Sequence, residues 1–131
     1  SALTFAIKQE KLEDVIKLYR QGAKLTLANE QGDTPLMLVI KNENNQENIA
    51  LWIIKTTRLQ NTKEHFNQKN NHGNSALHLA VQNNYAQAAR LLIDTKANIN
   101  ALNAKKQTPL ILAVITKNKH IAQQLINQGA C

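Results

Sequence analysis

Cysteine is almost absent from this 131-residue chain: Cys131 is the only one. A lone thiol excludes an intramolecular disulfide and a thiol-rich metal site, and at the last position it reads as a chain-end residue rather than a nucleophile. No apolar run reaches membrane-spanning length, and no basic segment followed by an apolar one marks a signal peptide, although a removed leader would leave no trace. Aromatic residues make up 4% of the chain, so a core has to be assembled from Leu, Ile, Val and Ala. That composition suits short, closely packed helices. Two prolines and four glycines leave no Gly-x-Gly-x-x-Gly and no P-loop, and the glycines fall where helices end or the chain turns.

Groups that could do chemistry are equally sparse. The histidines are His65, His72, His78 and His120, with no His-x-x-x-His pair, and the separation of His72 from His78 is not a ligand spacing. Glu10, Glu13 and Asp14 read as a solvated helix start. Nothing assembles a catalytic constellation, a cofactor cradle or a metal site, so the chain reads as non-enzymatic.

What the chain does have is positive charge. The formal net charge of +7 comes mainly from scattered lysines, of which only Lys105 and Lys106 are adjacent, and it biases association towards acidic surfaces. Nucleic acid is a poor fit, because Trp52, Phe66 and Tyr85 are not interleaved with the lysines as a stacking platform requires. Trp52 lies on an apolar stripe and is expected in the core. Abundant Asn and Gln, with Lys outnumbering Arg, are loosely reminiscent of proteins from AT-rich bacterial genomes. A cytoplasmic setting is expected, with a secreted or periplasmic form lacking its leader left open.

The organising stretch is Asn70-Asn-His-Gly-Asn-Ser-Ala-Leu-His-Leu-Ala-Val81. Asn70 can bond its own backbone and Gly73 can take a positive φ, which closes a tight turn; Ser75 then caps a helix beginning at Ala76. The same grammar recurs from Asn29 to Leu36 and from Asn103 to Leu110, with a partial copy over residues 1–7. Ser1 to Thr34 is 33 residues and Ser75 to Thr108 is again 33, whereas Thr34 to Ser75 is 41. A fixed period in this range marks a stacked-repeat protein.

At these residues the chain resembles the ankyrin-repeat family. The family's Thr-Pro-Leu-His signature stands here as Ser75-Ala76-Leu77-His78, as Thr34-Pro35-Leu36-Met37, as Thr108-Pro109-Leu110-Ile111 and faintly as Ser1-Ala2-Leu3-Thr4. The resemblance implies an all-α solenoid forming a single domain over 1–131, each unit being a turn, two antiparallel helices and a return loop. The repeats fall at about 1–33, 34–74 with an insertion, 75–107 and 108–131. It also implies a structural hydrogen bond from His78 linking neighbouring turns.

Repeat by repeat, the first is expected to bury Ala2, Leu3, Phe5 and Ala6 while Thr4, Lys8, Lys11 and Lys17 face water as a terminal cap. In the second, the register places about two extra residues between the helices, within 41–48, and about six more in 58–69. Phe66 is expected to fold back over this stretched repeat rather than serve as an anchor for a partner. Thr57 stands where Gly22 ends the first outer helix, so the chain should leave that helix by another route. Lys96 and Lys106 occupy slots that are glycine elsewhere, which predicts strain or a changed local conformation. In the fourth, Ile111 and Ile115 are more apolar than a solvent-facing cap should be, which fits a shortened chain, a tail elsewhere or a contact surface.

The resemblance implies a protein partner docked on the concave side, against turn tips and inner-helix ends. Mapped onto this sequence, the tips are Glu30, Gln31 and Asp33, then Asn71, His72 and Asn74, then Ala104, Lys105 and Gln107. The helix ends add Lys8, Gln9, Lys41, Asn42, Gln82 and Asn83. The expected function is a monomeric protein-interaction module for an acidic protein surface, with no nucleic acid and no membrane. The alternative is a fragment of a larger bacterial effector or toxin-related protein whose catalytic domain lies outside these residues.

Overall fold

The computed structural model describes residues 2–42, 46–59, 66–95 and 97–130; the expectations placed on Ser1, His65, Lys96 and Cys131 lie outside them. The described residues form helices and no strands. They run as four antiparallel pairs: α1 (Ala2–Lys8) with α2 (Leu12–Arg20), α3 (Pro35–Lys41) with α4 (Glu47–Leu59), α5 (Ala76–Gln82) with α6 (Ala86–Asp94), and α7 (Pro109–Ile115) with α8 (Lys119–Asn127). The first members stack in one inner row, α1 on α3 on α5 on α7, while α4, α6 and α8 stack behind them. No helix among the described residues is long and apolar enough to cross a membrane.

Each inner helix after the first starts the same way. The hydroxyls of Thr34, Ser75 and Thr108 accept from the backbone N–H three residues on, at 3.3, 3.4 and 3.2 Å, and Pro35 and Pro109 fill the first helical position, where a missing N–H is harmless. Three of the four pairs then turn through a left-handed residue: Glu10, Asn84 and Lys117 have φ of 60, 58 and 59°. None is glycine, so this recurring turn was not legible as one.

The core runs continuously between the rows. Leu36, Met37 and Ile40 of α3, Ile49, Ile53 and Ile54 of α4, and Leu77, Val81 and Leu92 of the third pair are all buried. Seven-residue helices are too short to hold themselves together, so stability resides in these inter-pair contacts. Ala2 and Phe5 are corrections to the expected core: Ala2 is exposed, and Phe5 is 65% exposed because it points away from the second pair.

Of the stretches expected to hold the insertion, residues 43–45 and 60–65 lie outside the described residues. From the start of α3 to the start of α4 is two residues longer than the corresponding step in the other pairs, and α4 continues past Thr57 to Leu59. Thr57 is buried, its hydroxyl donating to the carbonyl of Ile53 at 2.7 Å, so the helix carries on through the slot used by Gly22. Phe66 is buried, as expected of a residue folding back over this pair. Trp52 is only half-buried, set edge-to-face against Tyr19 with ring centroids 5.6 Å apart.

Candidate partner-binding surface

Three finger turns, 29–33, 70–74 and 103–107, project beyond the inner helices. An asparagine at each base holds its own loop: the side-chain oxygens of Asn29, Asn70 and Asn103 each accept two backbone N–H groups from two and four residues ahead, at 2.9–3.1 Å. The fingers are then tied together. The Asn71 amide donates to the Gln31 carbonyl at 2.9 Å and the Ala104 amide to the His72 carbonyl at 3.3 Å. A second line of bonds runs through side chains, from Asn70 Nδ2 to Asp33 Oδ1 at 2.9 Å and from Asn103 Nδ2 to Asn74 Oδ1 at 3.2 Å.

This spacing is why Gly73 has no side chain. Its φ is +75°, and a Cβ there would lie 2.5 Å from the Ala104 amide nitrogen. Lys106, at the corresponding position of the last finger, keeps the left-handed conformation at φ 60°. Substituting lysine for glycine has therefore left the local fold unchanged.

His78 links helix to finger. It is fully buried, and its Nε2 lies 2.9 Å from the Gln107 carbonyl, while Nδ1 lies 3.2 Å from the Ser75 amide nitrogen and 2.8 Å from its hydroxyl. A carbonyl can only accept and an amide N–H can only donate, so the neutral tautomer with hydrogen on Nε2 satisfies both. Burial pushes the imidazole below its ordinary pKa, partly offset by the bond to Gln107.

The partner-facing residues expected from sequence divide into two groups. Glu30, Gln31, Asn71, His72 and Lys105 are exposed at the tips, and Lys8, Gln9, Lys41, Gln82 and Asn83 are exposed at the helix ends. Asp33 is corrected: it is 1% exposed, bonded to Asn70 and paired with Lys41 Nζ at 2.9 Å, so it belongs to the scaffold and not to the rim. Asn74 and Gln107 are half-buried and turned inward, Gln107 Oε1 accepting from Asn103 Nδ2 at 3.1 Å. Asn42 is also half-buried, its carbonyl accepting from the Tyr85 hydroxyl at 3.3 Å.

Sequence reasoning passed over several residues that set this surface. The Tyr85 hydroxyl reaches back across the stack to the Val39 and Asn42 carbonyls and accepts from the Gln46 amide, fixing the ends of the α3–α4 connection. The Glu47 carboxylate accepts from the amides of Gln87 and Ala88 and so caps α6 from the neighbouring pair. Lys117, Lys119 and His120 line a shallow depression with Gln82 and Asn84, making the rim basic between the last two pairs. Laying each pair over the next would have flagged these positions, since an N-cap without its own side-chain bond, as at Tyr85, asks for a donor or acceptor from elsewhere. Among the described residues no group of three or more His, Cys, Asp or Glu side chains could hold a metal ion.

Comparison with known proteins points the same way. A family model described as ankyrin repeats (3 copies) matches residues 3–103 and 57–131. The Caenorhabditis elegans homolog of transient receptor potential cation channel subfamily A member 1 is 31% identical over 121 residues, covering 91% of this chain and 9% of its own length. Rabankyrin-5 of Mus musculus is 32% identical over 109 residues, covering 82% and 9%. The nuclear factor NF-kappa-B p105 subunit of Rattus norvegicus is 41% identical over 64 residues, covering 44% and 7%. The chain thus spans less than a tenth of the length of these relatives. With the 33-residue period, the capped inner helices and the linked fingers, these matches settle what the chain is: it belongs to the ankyrin-repeat family.

Proposed function

We propose that this chain is a non-enzymatic protein-interaction module that receives an acidic protein segment on its concave side. The observation that carries the reading is the division of labour in the fingers. Base residues Asn29, Asn70 and Asn103 spend their hydrogen bonds holding shape, whereas tip residues Gln31, His72 and Lys105 stand exposed on that rigid support. Rigid presentation lowers the ordering penalty of binding. The sign of the partner follows from the net charge of +7 and from the basic depression at Lys117 and Lys119. The binding set proposed after the corrections above is Lys8, Gln9, Glu30, Gln31, Asn71, His72, Gln82, Asn83 and Lys105.

Affinity capture from the source cell, with the wild-type chain beside Lys105→Glu, tests the proposal. The charge-reversed tip should lose acidic partners while its thermal midpoint stays put; equal capture by both chains would reject the assignment. A second reading, in which the array positions a catalytic domain elsewhere in a larger bacterial effector or toxin-related protein, draws on the small fraction of each relative that the chain spans. The relatives named are eukaryotic, so a bacterial source rests on composition alone. The full open reading frame separates the two.

A further inference from the structure

The outer side of the last helix pair has the composition of an internal surface. Ile111, Val114 and Ile126 are 41, 64 and 53% exposed, yet the residues at the same positions one and two pairs earlier (His78, Val81 and Ile93; Met37, Ile40 and Ile54) are at most 5% exposed under the following pair. The apolar stripe is therefore the one that in the two preceding pairs receives helices.

The polar positions bordering it have changed character. At the positions of Lys117 and Lys119, the side chains of earlier pairs that reach forward are acceptors. Glu10 Oε2 accepts from Gln46 Nε2 at 3.3 Å, Asn84 Oδ1 from Asn118 Nδ2 at 2.6 Å, and Glu47 Oε2 from the Gln87 and Ala88 amides at 3.0 and 3.2 Å. In the last pair the position of Glu10 and Asn84 is Lys117 and the position of Glu47 is Lys119. Lysine can only donate. A helix N-terminus arriving as α6 arrives on α4 would bring unpaired N–H groups and partial positive charge against Lys119. At the finger, Lys106 carries a side chain at the left-handed position where Gly32 and Gly73 have none and the next finger comes close.

We infer that this end face is a second docking surface, distinct from the concave rim, and that its occupant is an acidic amphipathic helix of a partner protein. The helix lays its apolar stripe on Ile111, Val114 and Ile126 and sets carboxylates against Lys117 and Lys119. A regular repeat in register is opposed at Lys106 and Lys119. A second copy is opposed by charge, because the other exposed stacking face, around Phe5, carries Lys11 and Lys17 against one carboxylate, Asp14.

The test uses the whole chain and a labelled synthetic peptide with a leucine stripe and glutamate flanks, beside a lysine-flanked peptide and a scrambled one. Saturable anisotropy is expected for the glutamate peptide alone. Val114→Glu, at a position too exposed to endanger the fold, should weaken it roughly tenfold or more, and Lys117→Glu with Lys119→Glu should shift preference to the lysine-flanked peptide. His72→Ala, on the concave tip, should change nothing. Absence of saturable binding, equal binding of the scrambled peptide, or unchanged binding by a folded Val114→Glu chain overturns the proposal. So does sedimentation showing a dimer that Val114→Glu dissolves, which would make the occupant a second copy.

Discussion

The third and fourth helix pairs carry nearly the same sequence pattern and live in different environments. Val81 and Val114 occupy the same place on α5 and α7, yet one is 0% exposed and the other 64%. Burial in this molecule is conferred by the neighbouring pair and is not a property of the residue. The effect of a substitution should accordingly depend on which side of the stack it faces. Leu77→Ala, wholly enclosed between pairs, should lower stability by about 2–5 kcal/mol. Val114→Ala should stay within about 0.5 kcal/mol of wild type. Urea titrations of the two variants measure the contrast, and equal midpoints would dissolve it.

The fingers sharpen the same comparison. Gly73→Ala adds a methyl group at positive φ and drives it into the Ala104 amide, so about 2 kcal/mol or more should be lost. Lys106→Gly, at the equivalent place in the last finger, releases a strained lysine, and a gain of up to about 1 kcal/mol is expected. Opposite signs at equivalent positions are the diagnostic; thermal melts of both variants would settle it.

A third contrast separates two lysines that look alike in sequence. Lys41 and Lys105 are both exposed and both read as partner-facing, but Lys41 holds the buried Asp33 carboxylate. Lys41→Glu leaves that carboxylate facing like charge; since the Lys41 side chain is itself 41% exposed, solvent screens part of the loss and about 1–2 kcal/mol is expected. Lys105→Glu should leave stability within about 0.5 kcal/mol. Weakened partner binding in the Lys41 variant therefore cannot be read as a contact effect without a melt beside it.

These pairs also mark how far the sequence could be read. Helix starts were legible because Thr34, Ser75 and Thr108 cap by a local rule, and the two-residue stretch before α4 followed from counting. The inward turn of Asp33, Asn74 and Gln107 was not legible, because each has a partner in another repeat, 37, 29 and 29 residues away respectively. Phe5 and Phe66 show the same limit from opposite sides: one apolar ring lies outside and the other inside, and only the neighbour decides. Of the nine tip residues, Glu30, Gln31, Asn71, His72, Ala104 and Lys105 stand exposed and the other three do not; the basic change at Lys117 and Lys119 needed the forward bonds of Glu10, Asn84 and Glu47 to be seen first.

The smallest expected effect concerns acid. His78 has no counterpart at Met37 or Ile111, so among the described residues its imidazole link between helix and finger belongs to the third pair. Burial holds its folded pKa below the unfolded one, so on acidification the unfolded chain takes up a proton first. The stabilisation contributed by neutral His78 is complete above the unfolded pKa of about 6.5 and is lost as pH falls from there through the lower folded value. Burial is the main cause, and a proton added at Nδ1 would in addition face the Ser75 amide, itself a donor at 3.2 Å. Unfolding titrations between neutral and mildly acidic pH should therefore slope more steeply for wild type than for His78→Gln. Parallel slopes would mean that the ring accepts a proton in place without loss, and the link to Gln107 would then be indifferent to charge.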